Sequence, residues 1–552
     1  MCVGSHKGWP HVRGLKGVHQ VARDELHRRH DELRQGATIR ATLGPARGGL
    51  PGRPRRLLSF RTRVILLNPA TSSSPALQHP AGLKVIFMAE MWERFSYYGM
   101  RALLVVYCVN ALGLQRADAL ALYGLYTGLV YLTPLVGGAL ADRWLGTRHA
   151  AVIGGAIMML GHFAMAFEPL LHLALGLLVI GNGFFKPNTS ALVGMLYAQD
   201  DPRRAGGYTI FYMGVNVGAF LAPLVAGTLG QTVGWHYGFA SAGVGMALGL
   251  VVLLRWQHLL GDAGLRPGQP PVGWRDVPKV IAFCIGAAVF TMAVLGINAL
   301  MPGVPTWMKL VGGVALVAAA LWLPGQVGSA KASAPPPLTA AERGRVLGIC
   351  VVVFFVIFFW MGFEQAGGSL ALFADQQTDR HAFGWEIPSS WFQSINPAVI
   401  VLLAPAFSTL WTRLDASRFA LSEPAKQGLG MIVLGLGFVV MASAQTQAEL
   451  HGTVGPQWLA IVYTLHTIGE LMLSPVGLAL ASRFAPARLG GLLMGAWLAA
   501  TGVASYLAGS LETMLAGSGI PPYVFLFGSS FGAGAVLLLL SPWLNRLLMR
   551  RD

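Results

Sequence analysis

From Lys84 to the end, long apolar runs alternate with short polar breaks. The runs are about 20 residues long, enough for a helix to cross a hydrocarbon core of about 30 Å. They predict spans at 84–111, 119–141, 149–167, 170–197, 208–231 and 238–256, then 278–300 and 308–328. Six more follow at 345–374, 391–412, 427–446, 456–483, 489–514 and 522–548. The pattern therefore predicts an all-α polytopic membrane protein with 14 transmembrane helices, grouped six, two and six. Two groups of six suggest two pseudo-symmetric bundles around a midplane site. Counting carries this division, since no internal repeat is evident by eye.

The boundaries that follow are a basic arm (1–80), an N-terminal six-helix bundle (81–256), a connector with the extra helix pair and a linker (257–344), and a C-terminal six-helix bundle (345–552). The arm lacks periodicity and is rich in Arg, Gly and Pro, so it is expected to be disordered. It has no apolar core of the secretory kind. Much of 1–63 is expected to be dispensable or untranslated, the start codon being misassigned.

Composition sharpens the picture. Of the 552 residues, 54% are hydrophobic and only 12% charged, about half the charged share of a soluble domain. The net charge of +16 is mostly the arm's: residues 1–80 hold 14 Lys+Arg against 4 Asp+Glu. No aromatic or repeat motif accompanies that charge, so no nucleic-acid partner is expected. The partners expected are a lipid bilayer, protons and a small solute, with the oligomeric state open. The four cysteines stand singly, without disulfide or metal spacing, so no cofactor is expected. Basic residues mark alternate loops: Arg143 and Arg148; Arg203 and Arg204; Arg413 and Arg418; Arg483 and Arg488. All fall on one side if both termini are cytoplasmic.

The informative residues are the charges within spans, because one near the bilayer centre costs about 2.5–3.5 kcal/mol on insertion scales. Glu90, Glu93, Arg94, Tyr97, Tyr98 and Arg101 fall on one helical stripe of the first span. Lys186, Glu364 and Glu470 lie in the fourth, seventh (of the twelve bundle spans) and tenth, with Asn216 and Asn396 in the fifth and eighth. Buried ion pairs can simply fix helix register. They can also couple protons, since a carboxylate beside a cation stays ionised until the pair is broken. A zwitterion would fit: its carboxylate at Arg94 and Lys186, its ammonium at Glu470. His466, one turn before Glu470, reads as a packing or hydrogen-bonding residue. The glycines 428, 430, 435 and 437 read as helix packing rather than a nucleotide loop. A membrane-embedded enzyme is a rival reading with one candidate nucleophile, Ser474 near Glu470, and no metal or oxyanion constellation.

These residues carry a resemblance. Glu90-x-x-Glu93-Arg94-Phe-Ser-Tyr97-Tyr98-Gly99 resembles the first-helix motif of the proton-dependent oligopeptide transporter family, within the major facilitator superfamily. The loop Gly137-Gly-Ala-Leu-Ala-Asp142-Arg143-Trp-Leu-Gly146 is similar to the superfamily's loop between spans two and three. Gly181-Asn-Gly-Phe-Phe-Lys186-Pro187-Asn188, Phe211-Tyr212-Met-Gly-Val-Asn216, Phe363-Glu364-Gln365 and Gly469-Glu470-Leu-Met-Leu-Ser474-Pro475 resemble further family signatures. The resemblance implies the major facilitator fold and proton-coupled symport of di- and tripeptides in a bacterial inner membrane. The alternative is a proton-coupled transporter of nitrate or drug-like compounds. It implies proton coupling by Glu90 and Glu93 with Arg94 and Lys186, and a gating salt bridge at Glu364. It implies that Arg94 and Lys186 hold the peptide C-terminus and Glu470, with Asn216 and Asn396, the N-terminus. Tyr98, Tyr131 and Trp497 would line the pocket, and Asp142 and Arg143 would steady the cytoplasmic gate.

Overall fold

The computed structural model describes residues 78–300, 338–382 and 384–550. The arm up to residue 77, the span expected at 308–328 and the linker up to 337 lie outside the described residues. Thirteen long helices follow one another: α1 (Gly82–Asn110), α2 (Arg116–Leu140), α3 (Thr147–Ala164), α4 (Leu171–Met195), α5 (Arg204–Ala222), α6 (Trp235–Arg255), α7 (Val277–Leu300), α8 (Ala340–Phe363), then a short α9 (Ser369–Gln376), α10 (Ile395–Asp415), α11 (Glu423–His451), α12 (Gln457–Phe484), α13 (Gly490–Leu515) and α14 (Pro522–Leu548). A two-residue hairpin, β1 (His381–Ala382) and β2 (Trp385–Glu386), precedes α10. Helix is what an apolar chain must form in lipid, where each backbone N–H and C=O needs an internal partner.

The boundaries have local causes. Thr339 and Glu342 close a reciprocal cap at the start of α8, Thr339 Oγ1 accepting from Glu342 N at 3.1 Å and Glu342 Oε2 accepting from Thr339 N at 3.0 Å. Pro424 and Pro522 sit in first turns, where a missing N–H is harmless. Gly146, at φ 79°, turns the chain from α2 into α3. The span expected at 345–374 is broken: α8 ends at Phe363, and Glu364–Gly367 forms a tighter turn before α9. Gly367 and Gly368 weaken the helix there, and the break carries Glu364 toward α1 and α2.

Eleven helical segments among the described residues are long and apolar enough to cross a membrane. α1 is not among them, because every 18-residue window of it contains at least three of Lys84, Glu90, Glu93, Arg94 and Arg101. It is nonetheless largely enclosed, packed on α5 and α6.

Two apolar cores hold the molecule. One gathers α1 to α6 and the connector's Val272, and takes in Ala371 and Leu372 of α9. The other gathers α8 to α14. α2 meets α13, and α5 meets α10, where the two halves touch. The α2–α13 contact is a glycine seam: a Cβ on Gly124 would lie 2.7 Å from Gly509 Cα, and one on Gly128 2.9 Å from Gly502 O. Small residues let helix backbones approach this closely, which is how helices associate in lipid. The glycines of α11 serve the same end: a Cβ on Gly428 would meet Gly534 O at 2.8 Å, and one on Gly430 would meet Gly469 O at 2.7 Å.

Candidate functional site

The charged stripe of α1 faces inward. Glu90 and Glu93 are fully buried, and Arg94 and Arg101 nearly so. Arg94 donates to both oxygens of Glu93 at 2.5 Å, with Nε 3.7 Å from Glu90 Oε1. Lys186 of α4 donates to Glu90 Oε1, and Thr189, one turn further, donates to Oε2 at 3.0 Å. The four charges thus form two pairs that neutralise each other in a water-poor site. The Arg94 guanidinium also lies 4.8 Å from the Tyr97 ring centre and 5.8 Å from that of Tyr98, within cation–π range.

Two turns on, Arg101 makes a second buried pair, its Nη2 donating to Glu364 Oε2 at 2.8 Å. Tyr123 of α2 receives a hydrogen bond from Arg101 Nε at 2.7 Å and lies 3.3 Å from Glu364 Oε2. Tyr131 donates to Glu364 Oε1 at 3.4 Å. Glu364 is therefore tied to α1 and to two points on α2, a connection from one half of the molecule to the other.

On the far wall, Asn396 Nδ2 donates to Glu470 Oε2 at 2.8 Å and contacts Thr467 Oγ1 at 3.0 Å. Among the described residues Glu470 has this donor and no ion-pair partner. A cavity of about 40 Å³ lies between the walls, lined by Tyr98, Arg101, Asn396, Tyr463 and His466 among others. His466 is 4.7 Å from the Phe438 ring and its Nε2 has no hydrogen-bond partner. Asn216 is buried, but its amide donates to Tyr212 O of its own helix at 2.9 Å. Trp497 is buried against Gly477, where a Cβ would meet the indole. Asp142 and Arg143 lie exposed after α2, with no ion pair among the described residues. Ser474 Oγ makes no hydrogen bond, to Glu470 or to any other described residue.

The structure thus brings Glu90, Glu93, Arg94 and Lys186 into one cluster, Glu364 and Tyr131 into a second, and Asn396 and Glu470 into a third. Among the described residues neither Asn216 nor Trp497 hydrogen-bonds to any of them through its side chain. The sequence reading omitted Thr189, Tyr123 and Arg101 from the site. Arg101 was on the stripe and Thr189 is on the Lys186 face of α4, so both were visible as positions; what was missing was their partner across the fold.

Polar links between the halves gather at one end. Arg116 pairs with Glu512 at 2.9 Å, Asn110 donates to Asp375 at 2.7 Å, Gln231 to Ser389 at 2.6 Å and Trp391 to Thr228 at 2.8 Å. Toward the other end, where Arg143, Arg203, Arg418 and Arg483 lie, α10 has no buried residue beyond Ile400.

A family model described as POT family matches residues 148–521, a stretch that holds the Lys186, Glu364 and Glu470 motifs. The chain is 37% identical over 488 residues to the transporter YclF of Bacillus subtilis, covering 85% of this chain and 95% of that protein. It is 36% identical over 455 residues to the peptide transporter YePEPT of Yersinia enterocolitica, covering 78% and 87%. The crystal structure of a peptide transporter POT in complex with sulfate superposes with a TM-score of 0.72 at 36% identity, over 86% of this chain and 96% of that one.

Proposed function

The chain belongs to the POT family, and on that premise we propose that it is a proton-coupled symporter of di- and tripeptides working by alternating access. The observation that carries this reading is the arrangement of charges: a neutral cluster of two carboxylates and two cations on one wall, and a carboxylate without a cation on the other. A peptide zwitterion is complementary to both. Its ammonium supplies the missing cation to Glu470, with Asn396 holding the carboxylate in place. Its carboxylate is drawn to Arg94 and Lys186.

Those two cations are already engaged by Glu93 and Glu90, and this is the coupling step. Adding a third carboxylate to two cations leaves a net negative charge in a desolvated site, which is costly. A proton on Glu90 or Glu93 restores neutrality and releases the cation to the peptide. Proton entry and peptide binding therefore favour each other, a reciprocity that holds for any pair of linked binding events. Glu364 plays the corresponding part between the halves: a proton there dissolves its pair with Arg101 and frees the closed end. Tyr98 and Tyr131 shape the chamber, Asn216 and Trp497 support its walls, and Asp142 with Arg143 form a gate at the opposite end. The positive charge of that end assigns it to the cytoplasm. The protein then sits in a bacterial inner membrane with both termini inside, in an inward-facing state. The reading needs neither a catalytic residue nor a cofactor, the proton gradient being the energy source.

Purified protein in liposomes, supplied with labelled dialanine, tests this. Accumulation should require an inward proton gradient and vanish when the gradient is collapsed. Gradient-independent behaviour towards every di- and tripeptide tried, with gradient-driven uptake of nitrate or a drug-like cation instead, would transfer the reading to the alternative.

A further inference from the structure

The connector after α6 folds against the cytoplasmic end of the first core and makes a second cavity, remote from the chamber. Arg148 anchors it, donating to Gly261 O at 2.7 Å and to Ala263 O, and Gln269 donates to Leu145 O at 2.8 Å. The cavity, about 160 Å³, is lined by Trp144, His149, Gln269, Asp276 and Lys279 among others. We propose that it binds the phosphate headgroup of an anionic phospholipid.

Three observations carry this. First, the site is built and incomplete. His149 is 5% exposed; its Nε2 lies 3.5 Å from Asp276 Oδ2, while its buried Nδ1 has no partner. Asp276 is satisfied by Lys279 Nζ at 3.1 Å and Gly273 N at 3.1 Å, so it positions the His149 and Lys279 side chains. The Lys279 ammonium retains donors and is two-thirds exposed. A phosphate oxygen completes His149 Nδ1 by accepting from the imidazole N–H, and takes the spare Lys279 protons.

Second, the balance of charge suits an anion. Exposed Arg143 and Arg275 adjoin the lining residues Trp144 and Asp276 in the chain, and Arg266 reaches the same loop through Trp144 O at 2.9 Å. Asp276 is the acid in the lining, and exposed Asp142 adjoins Arg143 in the chain. Third, the surroundings suit a lipid rather than a free anion. Trp274 is 92% exposed and Trp144 61%, at the level where helices end, which is where indoles favour the membrane interface. From the cavity, α7 presents Ile281, Ile285 and Val289 outward at four-residue spacing, a continuous apolar path for an acyl chain. Basic pockets between helix ends on the cytoplasmic side are suited to such headgroups.

The experiment uses the delipidated full-length protein in detergent, titrated with phosphatidylglycerol or phosphatidylcholine and read by native mass spectrometry. Phosphatidylglycerol should be retained in preference to phosphatidylcholine. Lys279→Glu should weaken that retention roughly tenfold, with the unfolding temperature unchanged, and His149→Gln should weaken it in the same direction. Millimolar inorganic phosphate should fail to displace the lipid. Equal retention by wild type and Lys279→Glu overturns the site, as does equal retention of phosphatidylcholine. Full displacement by inorganic phosphate overturns the lipid assignment in favour of a free anion.

Discussion

Arg101 and Glu364 lie 263 positions apart in the chain, both almost fully buried, and meet at 2.8 Å. Removing one member of a buried pair strands the other charge, at about 3–5 kcal/mol. Arg101→Ala should therefore lower the unfolding temperature and impair uptake together, whereas Glu364→Gln, whose amide oxygen can still accept from Arg101, should lower the unfolding temperature less and lose gradient-driven accumulation. Thermal unfolding beside proteoliposome uptake separates the two. At the other wall, Glu470→Ala should weaken binding of ordinary dipeptides at least tenfold and leave analogues without an N-terminal amine unaffected. Equal loss for both would remove Glu470 from ammonium recognition. In the α1 cluster, Glu93→Gln should spare peptide counterflow exchange while abolishing accumulation against a gradient, and intact accumulation would take Glu93 out of the coupling path. The individual charges were legible in sequence because each is expensive in an apolar span. Their partners were less so: the stripe spacing of α1 reports one helix face and says nothing of which face of α4 or α8 meets it.

At the scale of helices, hydropathy located the boundaries of the described spans to within about five residues, α5 being carried on to Val233 by two wider helical turns, since an apolar run of this length has few alternatives to a helix. What it missed was the interruption at Glu364, because Phe363-Glu364-Gln365-Ala366-Gly367-Gly368 keeps enough apolar character to read as a continued span. The glycine seam between α2 and α13 was equally silent, glycine being abundant at 70 residues and its packing partner unspecified by any single helix. The seam yields a sharp expectation. A Cβ on Gly509 would stand 2.3 Å from Leu120 O and 2.6 Å from Gly124 Cα, backbone atoms that cannot rotate away. Gly509→Val should force the two helices apart and lower the unfolding temperature in detergent markedly, with little folded protein recovered. Arg116→Ala, which removes a part-exposed pair at the tip of the same contact, should cost about 1 kcal/mol or less. Should the two variants unfold at the same temperature, backbone approach would not be what holds this contact.

For the whole molecule, the polar links at the end bearing Asn110, Gln231, Asp375 and Ser389 set a cost for opening there. Transport by alternating access requires this end to open once per cycle, so on the proposed reading holding it shut stops the cycle while leaving the binding site intact. Asn110 and Asp375 are in hydrogen-bond contact across the halves at 2.7 Å, close enough for a short linker between replacement thiols. Asn110→Cys combined with Asp375→Cys, bridged by a bis-methanethiosulfonate reagent, should lose dialanine uptake and regain it when a reductant cleaves the bridge. Each single replacement, treated identically, should transport normally; this controls for the native Cys2, Cys108, Cys284 and Cys350, of which Cys350 is exposed. Binding of dipeptide to the bridged protein in detergent should persist, because the proposed inward-facing state leaves the chamber reachable from the basic end. Uptake that continues with the bridge intact would mean that this end need not part, and the proposed cycle would have to turn about some other contact.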